Sequence, residues 1–148
     1  MRKSITRNTS VVLLTLSLNL GAGDVSAEET SQPGGVSIEL STAEAKGQNC
    51  LLSFVVENTH DADISGVVYE TVLFGNTGEV ALLTLLDFEE LPAGRTRVRQ
   101  FQFNDLACDQ ISRILINGVQ ECEIETDTKD ACMTGLKLKS RLETDLVG

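Results

Sequence analysis

The side chains with the widest chemical range in this 148-residue chain are four cysteines, Cys50, Cys108, Cys122 and Cys132. A dithiol catalyst usually presents Cys-x-x-Cys, whereas the closest pair here is Cys122 and Cys132. Zinc would require close-spaced cysteines or several histidines, and the chain has one histidine, His60. Copper handling would draw on two methionines, one of which is Met1. An even cysteine count in an exported chain is instead the mark of a disulfide framework, for which four cysteines permit three connectivities.

The other candidate chemistry is thin. His60 stands beside Asp61, but a relay is built from residues distant in sequence, and no Gly-x-Ser-x-Gly nucleophile motif is present. Glu89-Glu90 supplies paired acids, yet glycoside chemistry also wants a cleft and aromatic platforms. The chain has no Trp. Asp61, Asp63, Ser65 and Gly66 match the first, third, fifth and sixth positions of a calcium-binding EF-hand loop. The twelfth position, which needs a bidentate Glu, is Val72. No catalytic residue, cofactor site or metal site is assigned from the sequence.

Residues 1–27 have the order of a signal peptide: basic Arg2, Lys3 and Arg7, an apolar stretch from Val11 to Leu20, and small residues ending at Ala27. The apolar stretch is short of the roughly 20 residues that span a bilayer. No cysteine follows it for lipid attachment, and Arg2-Lys3 is not a twin arginine. The expectation is bacterial export to the periplasm or beyond, with no membrane insertion after cleavage. Removing residues 1–27 takes away three of the 12 basic residues and one of the 22 acidic, leaving 9 against 21. So acidic a chain repels phosphate backbones and anionic lipid, which excludes nucleic acid as a natural partner.

The elements that must position these residues are short β-type runs. Residues 28–35 (EETSQPGG) form an expected flexible leader, and residues 36–148 a single domain. Its candidate strands are Val36 to Leu40, Cys50 to Glu57, Val67 to Phe74, Val80 to Phe88, Thr96 to Phe103, Ile111 to Ile116 and Met133 to Leu142. Gly75-Asn76-Thr77-Gly78, Pro92-Ala93-Gly94 and polar stretches punctuate them. About seven strands at this spacing predict an all-β sandwich. All six aromatics fall in these runs, which makes them core.

If successive strands run up and down, Cys50 and Cys108 lie at one end of the sandwich, and Cys122 and Cys132 at the other. The expected bridges are therefore Cys50 to Cys108 and Cys122 to Cys132. Two local ambiguities remain. Arg95, Arg97 and Arg99 share a parity with Phe101 and Phe103, so either a bulge near Arg99-Gln100 turns the arginines to solvent, or they share a face with the aromatics. They are the one basic cluster on an acidic protein and a candidate partner patch. Asn117-Gly118 has the composition of a two-residue hairpin turn, but a bulged or ending strand fits equally well.

The run Val72-Leu73-Phe74-Gly75-Asn76-Thr77-Gly78, followed by Leu91-Pro92-Ala93-Gly94 and Phe101, resembles the FxLYD-type immunoglobulin-like domains of small uncharacterised exported bacterial proteins. The segment from Leu106 to Asp109 with Ile111 to Asn117 is similar to such proteins too. The resemblance spans Val36 to Leu142 and implies a sandwich with no assigned reaction. The resulting expectation is a noncatalytic exported protein that acts through contacts with another protein. The alternative is a small-ligand or calcium-binding module using the acidic loops Asn58 to Gly66 and Glu125 to Asp130.

Overall fold

A computed structural model describes residues 34–125 and 130–148; the expected signal peptide and most of the expected leader lie outside them. Among the described residues, eight strands form two four-stranded sheets. They are β1 (Val36–Lys46), β2 (Asn49–Asn58), β3 (Ile64–Phe74), β4 (Val80–Leu91), β5 (Thr96–Phe103), β6 (Arg113–Ile124), β7 (Lys137–Ser140) and β8 (Asp145–Val147). One sheet has the order β5-β2-β1-β7 and the other β4-β3-β6-β8. The chain is thus an immunoglobulin-like β-sandwich. Among the described residues, no helix is long and apolar enough to cross a membrane.

Alternation builds the core. Leu52, Phe54 and Val56 of β2 face Val67, Tyr69 and Leu73 of β3 across the layer gap, all essentially buried. At its centre Phe54, Tyr69, Phe88 and Phe101 meet edge to face, with ring centroids 5.1 to 5.9 Å apart. Such pairs contribute about 0.5 to 1.5 kcal/mol each beyond the area they bury.

Both disulfides join the cysteines that the strand order predicts: Cys50–Cys108 and Cys122–Cys132. Cys50 lies at the start of β2 opposite Phe103, and Cys108 opens a 3-10 turn, Cys108–Gln110. Cys122 lies beside Val67 at the opposite end of the sandwich. There the loop after β2 meets the chain near Cys132, where the His60 ring and the Ala131 carbonyl are 3.0 Å apart.

Several expectations are corrected. The expected strand Met133 to Leu142 is a turn followed by the short β7, which runs parallel to β1 on one sheet; beyond Leu142, β8 runs parallel to β6 on the other. Arg141 to Thr144 carries the chain across the side of the sandwich, so the described residues hold eight strands. Of the two readings open for Asn117-Gly118, the hairpin is absent and the bulge is present. Thr71 pairs with Ile116 and Glu70 with Gly118, leaving Asn117 as the extra residue of a bulge within a continuous β6. The last two residues of the leader are packed: Gly35 is buried, hydrogen-bonded both ways to Thr59, and a Cβ on it would strike the Gly135 carbonyl. Ser65 and Gly66, read as part of a half EF-hand loop, belong to β3.

Candidate functional site

The arginine row is where alternation decides the chemistry. The β2–β5 register runs without interruption from Cys50–Phe103 to Glu57–Thr96, so of the two alternatives the bulge near Arg99-Gln100 is absent. Arg97 and Arg99 therefore share the inward-facing parity of Phe101 and Phe103. Strand β5 is at the sheet edge, and its arginines reach over that edge to the other layer. Arg99 donates through Nε to the Phe88 carbonyl at 2.7 Å and through an Nη to the Glu90 carbonyl at 3.0 Å. Its guanidinium is 3.4 Å from the Glu89 carboxylate, and Arg97 stands 4.0 Å from that of Glu90. Arg95 is exposed beyond the turn at Gly94.

The candidate ligand loop is similarly occupied. Buried Asn58 donates to the Leu91 and Ala62 carbonyls and accepts from the His60 amide. The Asp63 carboxylate accepts a 2.8 Å bond from the Ala93 amide. Together these contacts fix the Pro92–Gly94 crossing between the layers. Among the described residues, no three His, Cys, Asp or Glu side chains are grouped so as to hold a metal ion. Residues 126–129 of the second acidic loop lie outside the described residues.

What the sequence reading missed is the outer face of the β4-β3-β6-β8 sheet. Cross-strand register aligns Leu83, Val72, Leu115 and Val147 as one apolar row over all four strands. On β4, Leu83 is 57% exposed and Leu85 52%, with Val80 more open still. The signal was present: Val80 to Leu86 (VALLTLL) is apolar at both parities, a pattern that belongs to strands covered on two faces. Here Leu82 and Leu86 point toward the core, and Leu83 and Leu85 point to solvent.

One end of this face is acidic. Asp87, Glu89 and Glu90 of β4 and Glu121 and Glu123 of β6 line a shallow groove of about 400 Å³ with Ser65 and Val68. At the other end, the turn into β4 is locked locally. The Thr77 hydroxyl and amide both donate to the Glu79 carboxylate, and the hydroxyl bond above all holds that carboxyl below its ordinary range. Gly75 leaves the space that the Glu79 side chain fills.

These features define a disulfide-clamped immunoglobulin-like sandwich that exposes Leu83 and Leu85 of β4 on one sheet face. No protein-family model matches the chain, and no curated protein matches it. Among solved structures it is similar to IrmA from Escherichia coli, at 12% identity and a TM-score of 0.53, covering 71% of this chain and 91% of that one. A likeness at that identity concerns the fold.

Proposed function

We propose that this is an exported, noncatalytic protein of the periplasm or the extracellular space that works by binding another protein through the outer face and free edge of the β4-β3-β6-β8 sheet. The carrying observation is the exposure of Leu83 and Leu85 on β4, since contiguous exposed apolar surface marks interaction sites. The two disulfides support an oxidising destination. The arginine row contributes less to this reading than its sequence suggested, because Arg97 and Arg99 are engaged with β4; Arg95 remains available at the rim.

The test is site-specific photo-crosslinking in cells, with the photoreactive residue placed at Leu83, at Leu85, and at exposed Glu44 on β1 as a control. A discrete adduct from the two β4 positions and none from Glu44 is the expected outcome. Uniform absence of adducts, together with turnover of a substrate by the purified protein, would overturn it.

A further inference from the structure

The four sheet edges of this sandwich are unequal. β7 and β8 are short, with four and three residues, and β5 is guarded by arginines. β4 is 12 residues long, and its first seven carry no charge and no proline. Among the described residues no strand pairs with its outer side. Natural sheets usually blunt such an edge with charge, proline or brevity, because its free amides and carbonyls accept another strand. Arg99 occupies the Phe88 and Glu90 carbonyls, so the C-terminal part of β4 is capped while Val80 to Leu86 is left open.

The side chains beside that edge form a sequence of their own. Along β4 the outward positions run Leu83, Leu85, Asp87 at the two-residue spacing of a strand, and the acidic groove with Glu121 and Glu123 begins where the leucines end. We propose that β4 is the acceptor for strand addition by a basic, apolar segment of another protein. Two apolar side chains of that segment would lie on Leu83 and Leu85, and a lysine or arginine two residues further along would meet Asp87 and the groove. Main-chain hydrogen bonds would supply affinity and the alternate side chains selectivity. The charge sign separates this occupant from a second copy of the chain, which is itself acidic. The inference rests on the contact reading above and adds to it the conformation and charge of the partner.

The test uses the isotope-labelled mature protein and a synthetic peptide, Lys-Thr-Val-Thr-Val-Thr-Val, which in antiparallel addition places Lys opposite Asp87 and valines opposite Leu85 and Leu83. Amide shifts confined to β4 and its neighbours, with binding weakened about tenfold or more when Lys is replaced by Glu, are the expected result. Affinity should also fall as salt rises, since the groove is exposed. A Leu83→Lys, Leu85→Lys double variant should lose the shifts while keeping its melting temperature, because both leucines are already solvent-exposed. Equal binding of the Lys and Glu peptides would overturn the charge assignment, and binding unaffected by a central proline would overturn strand addition. A dimer dissociated by the double variant would assign the edge to a second copy instead. In-cell adducts at Leu83 alongside equal peptide binding would leave the contact reading standing and remove this inference alone; absence of adducts together with substrate turnover removes both.

Discussion

The Tyr69 hydroxyl donates a 2.7 Å hydrogen bond to the carbonyl oxygen of Cys132. It ties the middle of β3 to the Cys122–Cys132 loop, and so fastens a disulfide that would otherwise close only a local loop to the aromatic centre of the core. Tyr69 is fully buried, and burial drives its phenol well above the ordinary tyrosine range.

That burial makes stability fall in alkali. Above the unfolded tyrosine pKa of about 10, the unfolded chain releases a proton that the folded protein retains, so each further pH unit costs up to about 1.4 kcal/mol. Tyr69→Phe should remove this component of the slope between pH 10 and 11.5, at a loss of about 1 kcal/mol at pH 7 from the broken bond. Urea denaturation of both proteins across that range checks it. Parallel slopes would contradict the assignment.

Arg99→Ala should lower stability by about 1 to 2 kcal/mol, because the Phe88 and Glu90 carbonyls lose a charged donor at a partly solvated edge. Arg97→Ala should be nearly neutral, since its 4.0 Å approach to Glu90 is to an exposed carboxylate. Thermal melts of the two variants should separate accordingly. Equal losses would indicate that the row acts as a charge cluster instead of a set of bonds.

Asn58 is fully buried and its side chain makes three hydrogen bonds. Asn58→Asp should cost about 3 kcal/mol or more, because the donors to Ala62 and Leu91 are replaced by a carboxylate oxygen that faces those carbonyls. Raised proteolysis in the Asn58 to Gly66 and Pro92 to Gly94 segments should accompany the lowered melting temperature.

The bridges should differ in weight. By the chain-entropy model, replacing Cys50 and Cys108 with Ala should cost roughly 4 kcal/mol and replacing Cys122 and Cys132 nearly 3, from loops of about 59 and 11 residues. Guanidinium titrations of the two double variants measure the difference. A larger loss from the shorter loop would point to the Tyr69 contact, which depends on where Cys132 is held.

The strands from β2 to β5 were legible because their apolar alternation and glycine-rich turns are local properties. Disulfide pairing was legible because it follows from strand direction alone. The end of the chain was not: β7 and β8 are too short to declare themselves and exist because each finds an edge, beside β1 and β6, that sequence does not display. Asn117 illustrates the same limit, since its turn chemistry suits a hairpin or a bulge and pairing with β3 decides for the bulge.

The candidate site divides in the same way. The sequence by itself determined an acidic chain with four paired cysteines, an arginine row of uniform parity and a run from Val80 to Leu86 that is apolar on both sides. Tertiary structure decided what those patterns mean. It placed β5 beside β4 so that Arg99 bonds across the layers, and it placed β4 at an edge with Leu83 and Leu85 more than half exposed. Side-chain parity is set within a strand, whereas the environment of each face is set by which strands lie next to it, and that depends on contacts between residues far apart in the chain.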